Sequence, residues 1–133
     1  DTNETPLRMF ALGNLYEFRN LDSAALLEYD SINKQFPNHS LSDDILYHRA
    51  KLSVKYGKYE DAANYYDKIV KEHGEDILAD DALFNMADLY ENQLSNPTKA
   101  KELYQQLLEK YPASLYVVDA RKRFRKLRGD GIN

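Results

Sequence analysis

Apolar and small residues recur along this chain in blocks of about 37 residues, and within each block they fall at helical rather than alternating spacing. In the first block Met9, Leu12, Gly13, Leu15 and Tyr16 share one helical face, and Ala25, Leu26, Tyr29 and Ile32 share another after the turn Arg19-Asn20-Leu21-Asp22. The second block repeats this with Ile45, Leu46, Ala50 and Leu52, a break at Gly57, then Ala62, Tyr66, Ile69 and Val70. The third does so with Ala82, Leu83, Met86, Ala87, Leu89 and Tyr90, a turn at Asn96-Pro97, then Ala100, Tyr104, Leu107 and Leu108. Gly13, Ala50 and Ala87 are spaced 37 and 37; Tyr29, Tyr66 and Tyr104 are spaced 37 and 38. A single domain over 1–133 is expected, with helix pairs at about 5–37, 43–74 and 80–112 and a last helix at about 116–128.

Local signals predict where the helices begin and end. Thr5-Pro6 opens the first, with Thr as cap and Pro in the first turn. Asp43-Asp44 and Asp80-Asp81 are expected to cap the second and third pairs and to suit the positive helix start. Phe36-Pro37, His73-Gly74 and Tyr111-Pro112 close the pairs. In the last helix only Ala120, Phe124 and Leu127 form an apolar stripe, and Arg125 takes the slot held by Gly13, Ala50 and Ala87. An arginine there refuses a close partner helix, so this helix reads as a polar terminal cap, ended by Gly129. The first helix shows no such cap, and the chain begins Asp-Thr-Asn rather than Met. The expectation is a C-terminal module of a longer protein, with further repeats upstream.

The seven recurring slots resemble the tetratricopeptide-repeat family over roughly residues 5–128. The segment Ala50…Gly57-Lys58-Tyr59-Glu60-Asp61-Ala62…Tyr66…Ile69 is similar to the family's central signature. Departures are a period of 37 instead of about 34, Met9, Leu46 and Leu83 in place of Trp, and Gly74 in place of the second closing proline. The linkers Pro37-Asn38-His39-Ser40…Asp43-Asp44 and Pro112-Ala113-Ser114…Asp119-Ala120 resemble those of bacterial cell-envelope members, of the Tol–Pal-associated periplasmic and BamD-like types. The resemblance implies an all-α right-handed superhelix of three helix pairs plus a C-terminal capping helix. It also implies a non-catalytic, periplasmic or envelope-associated adaptor for a protein or peptide partner. On that scaffold Phe10, Tyr47 and Phe84 should line the groove as an aromatic ladder, followed one turn on by Asn14, Lys51 and Asp88, then Glu17, Val54 and Glu91. The same aromatics would also serve as packing between adjacent repeats, and that alternative stays open. The family's clamp for a C-terminal carboxylate is not carried over, because Asp88 would repel one.

Composition narrows the chemistry. The 133 residues, 43% hydrophobic and 30% charged, suit one soluble domain of roughly 150 residues. No apolar run approaches the roughly 18–20 residues of a membrane helix. With no cysteine there is no thiol nucleophile or zinc finger. His39, His48 and His73 lack metal-site spacing, and the 5 glycines are too scattered to cradle phosphate. The paired aspartates recur once per repeat, as caps rather than as carboxylates facing across a cleft. No catalytic, metal or cofactor site is therefore assigned.

Charge divides the chain. Residues 1–109 hold 11 basic and 20 acidic side chains, whereas 110–133 hold 7 and 2. Arg121, Lys122, Arg125 and Arg128 make the last helix a basic surface. It reads as a solvated cap, as a contact for an acidic partner, or as a contact for lipid headgroups or nucleic acid. The apolar stripe is too narrow to enter a bilayer while packing on the third pair, and aromatics for stacking bases are missing. Tyr56, Tyr59 and Tyr65 form either an interaction patch or packing around the second turn. A structural or oligomerising role within a larger solenoid is the other reading of the whole chain.

Overall fold

The computed structural model describes residues 4–75 and 77–130. Among them are seven helices and no strand: α1 (Glu4–Phe18), α2 (Asp22–Gln35), α3 (Ser42–Lys55), α4 (Tyr59–Glu72), α5 (Ala79–Asn92), α6 (Pro97–Lys110) and α7 (Val117–Arg128). The fold is an all-α helical-repeat solenoid. The pairs α1–α2, α3–α4 and α5–α6 each pack closely, and α7 packs on α6.

The 37-residue period has a plain origin. Two 14-residue helices, a three-residue turn and a six-residue linker make it up, and the extra residue in the 93–96 turn gives the 38. Inside every pair the chain turns through a residue with positive φ at the same slot: Asn20 at 60°, Gly57 at 72° and Ser95 at 50°. Left-handed backbone at this place ends each first helix and sends the chain back against it. Helix starts differ from expectation. α1 already includes Glu4, so Thr5 lies inside it, while Pro6 sits in the first turn and is buried. Asp43 and Asp80 stand within first turns whose preceding residues are Leu41 and Leu78, so neither aspartate is the cap. Their charge still suits the helix start. Asn96 is a true cap, accepting from the Lys99 backbone N–H at 3.1 Å.

Small residues set the spacing within pairs. A Cβ on Gly13 would lie 2.5 Å from Cε1 of Tyr29, so only glycine admits that ring. Ala50 and Ala87 are fully buried in the core that holds Tyr66 and Tyr104. In α7 Ala120 is fully buried, Phe124 and Leu127 pack against the same core, and Arg125 faces out, as the capping reading requires.

The repeats do not join equally. One apolar core runs from Ala50 to Ala120; a smaller one holds Ala25, Tyr29, Ile32, Leu41 and Ile45. α3 makes few close backbone approaches to α2, whereas α5 packs on α4 and α7 on α6. Ion pairs bridge the looser seam: Lys55 to Asp22 at 2.7 Å and Arg49 to Asp30. Tyr56 also donates to Asp22. These two donors, Lys55 foremost, hold the Asp22 carboxyl below the usual carboxylate range despite its burial. At the open end, Leu15 is 43% exposed, although Leu52 and Leu89 at the equivalent slot are buried.

The turn slot supplies a direct check. Ser95→Gly removes the cost of a left-handed L-residue and raises stability by about 0.5–1 kcal/mol, while Gly57→Ala lowers it by a similar amount. Urea denaturation followed by circular dichroism measures both, and equal stabilities would contradict the turn assignment.

Candidate binding groove

Side chains link α1 to α3 (Glu17 with His48), α3 to α5 (Tyr47 with Asp81) and α5 to α7 (Asp88 with Arg123), and the tyrosines of α2, α4 and α6 lie against this row. The result is three polar stations, each built from the same five slots. Asn14, Lys51 and Asp88 occupy one; Glu17, Val54 and Glu91 the second; Tyr29, Tyr66 and Tyr104 the third. His48, Asn85 and Arg123 come from the following repeat, and Phe10, Tyr47 and Phe84 stand beside them.

The first station is closed by its own side chains. Tyr29 directs its hydroxyl at Asn14 Oδ1, 2.7 Å away, and at Glu17 Oε1, 2.5 Å away. His48 Nδ1 lies 2.7 Å from Glu17 Oε1, so that nitrogen carries the proton between them. Phe10 meets the His48 ring edge-on at 5.2 Å. The third station is closed by a guanidinium. Arg123 Nη1 donates to Asp88 Oδ1 at 2.6 Å and to the Tyr104 hydroxyl at 3.0 Å, and Tyr104 donates to Glu91 at 2.7 Å. The Arg123 guanidinium also covers the Phe84 ring at 5.0 Å. Burial works against its charge, yet the bonds to Tyr104 and Asp88 outweigh that and raise its pKa further.

The middle station is open. Val54 replaces the glutamate, and Asn85 turns its Nδ2 to the Asp81 carbonyl at 2.8 Å and carboxylate at 2.7 Å. A cavity of about 110 Å³ remains, lined by Lys51, Val54, Tyr66, Asn85, Asp88 and Leu89. Tyr66 is 1% exposed, and its pKa is raised by burial and by the nearby Asp81 and Asp88 charges, without the bond to a glutamate that Tyr29 and Tyr104 make.

The expected ladder aromatics each pack on the tyrosine of their own helix pair, and Phe10 and Phe84 also meet side chains that follow the pair. Phe84 is 9% exposed, stacked on Tyr116 at 4.7 Å and covered by Arg123. Tyr47 is half-buried, edge-on to Tyr66 at 6.1 Å, and Phe10 is half-buried against Tyr29. Lys51 is exposed, with its ammonium 5.1 Å over the Tyr47 ring. Asn14 and Asp88 are half-buried and already engaged, by Tyr29 and Arg123. The structure brings His48, Asn85 and Arg123 onto this face, beside the expected row Glu17, Val54 and Glu91. Their recurrence was visible as spacings of 37 and 38 between His48, Asn85 and Arg123.

Two further groups have roles the sequence did not disclose. Asp80 accepts from Ser114 Oγ at 2.6 Å, and Asp81 accepts from the Tyr116 hydroxyl, so the pair ties α5 to the linker before α7. On α7, Arg121, Lys122 and Arg125 are exposed, while Arg128 is paired with Asp130 across Gly129 and lies over Phe124. Among the described residues no three metal-ligating side chains converge, and no helix is long and apolar enough to cross a membrane.

Residues 81–114 match the tetratricopeptide-repeat family model. The match falls on α5, α6 and the start of the linker, and it supports the tetratricopeptide reading for the array whose other pairs keep the same register. No curated protein matches the chain. Tetratricopeptide repeats are in general protein–protein interaction modules, which supports a protein partner.

The tyrosine hydroxyls set an alkaline limit. Burial, aided by Glu17 at Tyr29 and by Asp81 at Tyr47, pushes these phenols well above the usual value near 10, as burial does for Tyr66 and Tyr104. At Tyr116 the bond to Asp81 and burial raise it to about 12. The unfolded chain ionises first, so the stabilisation is complete below about pH 10 and is lost as pH rises from there. The part of the 295 nm tyrosinate absorbance that belongs to these five of the eleven tyrosines should therefore appear only together with loss of helicity above pH 10. Ionisation of all eleven near pH 10 with intact helicity would contradict it.

Proposed function

We propose that the protein is a non-catalytic scaffold that holds a protein or peptide segment along the face carrying Phe10, Asn14, Tyr47, Lys51, Phe84 and Asp88. The observation that carries this is the inner face itself. Three polar stations stand in register, flanked by aromatic walls, and the middle one offers an exposed lysine and an unfilled cavity. An extended or helical segment suits a surface with this regular spacing. The linkers around Pro37 and Pro112, similar to those of cell-envelope proteins, favour a periplasmic or envelope setting. In that setting the domain would work within a longer protein and use no cofactor.

Truncating the aromatics would disturb packing, so the exposed Lys51 gives the cleaner test. Lys51→Ala and, more strongly, Lys51→Glu should lose a crosslinked partner recovered by the parent chain from envelope extract. Arg121→Glu with Lys122→Glu should keep it. Equal recovery by the groove variants, with loss in the α7 variant, would move the interface to the basic surface. That outcome would revive anionic contacts, detectable as steep salt dependence.

A second reading is favoured by one observation. Leu12, Leu15, Phe18 and Leu27 leave the α1–α2 end apolar and exposed, at 37%, 43%, 85% and 67%. That end suits stacking on another helix pair, in a larger solenoid or a second copy. Sedimentation equilibrium would show a concentration-dependent mass for self-stacking, abolished by Phe18→Glu. A constant monomer mass would rule out the second copy.

A further inference from the structure

We infer that the middle station is a well for a carboxamide side chain, asparagine or glutamine, of the bound segment. This rests on the groove reading above and specifies what that groove recognises. The comparison of stations carries it. Wherever a tyrosine hydroxyl reaches the inner face at the ends, the protein supplies both an acid and a cation or imidazole to meet it: Glu17 and His48 at one end, Glu91 and Arg123 at the other. At Tyr66 those two slots hold Val54 and Asn85, and the charged neighbours are Lys51 and Asp88 from the flanking slot. Val54 has no polar atom, and both N–H groups of Asn85 are spent on Asp81. Tyr66, 1% exposed, lines a cavity of about 110 Å³. A hydroxyl beside such a cavity gains from a partner there and loses if sealed off without one.

The donors and acceptors around the cavity select the occupant. Lys51 can only donate, and the Tyr66 hydroxyl can do either. Asn85, fixed by its two bonds to Asp81, leaves its Oδ1 as an acceptor. Asp88 is a further acceptor, its charge offset by Arg123 at 2.6 Å. A carboxylate would satisfy Lys51 and Tyr66 but face the Asn85 and Asp88 oxygens. An ammonium would face Lys51, and a hydrocarbon would bury the Tyr66 hydroxyl unpaired. A carboxamide answers both sides, its oxygen accepting from Tyr66 and Lys51 and its NH₂ donating to Asn85 and Asp88. Size agrees: a cavity of about 110 Å³ admits a group as small as a carboxamide and its methylene. Val54 and Leu89 flank the methylene.

The test uses pools of twelve-residue peptides, random except for a fixed central Gln, Leu, Glu or Lys, titrated against the whole chain by fluorescence anisotropy. The Gln pool should bind about tenfold more tightly than the others, the equivalent of one or two net hydrogen bonds. Tyr66→Phe should bring the Gln and Leu pools to within about twofold of each other. That variant removes a single oxygen, and unchanged circular dichroism would certify its fold. No Gln preference, a Glu or Lys preference, or a Gln preference that survives Tyr66→Phe overturns the well. If binding is then still abolished by Lys51→Glu, the groove reading stands without it. If no pool binds, or binding ignores Lys51→Glu, the groove reading fails and takes the well with it.

Discussion

The structure depends on the close approach of a tyrosine ring to a small residue on the helix before it. At Gly13 the fit with Tyr29 is so tight that even a methyl group would enter the ring. Burial of Tyr29, Tyr66 and Tyr104, none more than 1% exposed, fixes each helix pair and anchors the core on either side. It also fixes where the hydroxyls emerge. A ring locked from behind carries its oxygen to the same place on the inner face every 37 or 38 residues. The packing constraint and the placement of the polar stations are one event, so a change in the small slot would disturb both.

That coupling explains what could be read from the chain. The slots of Gly13, Ala50 and Ala87 and of the three tyrosines show their geometry in residue type, because only small residues and a flat ring satisfy it. The helix pairs, the turns at Asn20 and Gly57 and the capping role of α7 follow from such positions. The station partners do not. His48, Asn85 and Arg123 share one slot but belong to three chemical classes, since each answers a different neighbour. Arg123 therefore looked like one more charge on a basic helix, although it closes a station against Asp88 and Tyr104. The aspartates of α5 misled for a related reason. A carboxylate in a first turn has a sufficient local explanation, and the bonds from Ser114 and Tyr116 that engage it come from more than thirty residues away.

The two ends of the inner face are held differently, and this bears on how a segment would lie along it. At α5–α7 the station is backed by continuous apolar packing: Phe84 between Tyr116 and Arg123, and Ala120 fully buried beneath. At α1–α3 the backing is thin, and the alignment of the first pair rests on Lys55–Asp22, Arg49–Asp30 and His48–Glu17, each with a partly exposed member. Exposed ion pairs contribute little each and weaken with salt, so they set an angle without making it stiff. Apolar packing at native density resists displacement much more strongly. A bound segment would thus meet a fixed register at the α5–α7 end and an adjustable one at the α1 end. The open middle station lies on the firm side of that division, since Tyr66, Asn85 and Leu89 belong to closely packed α4 and α5. Selectivity built there would keep its geometry even if the first pair were to shift, which is where a small polar well would be worth most.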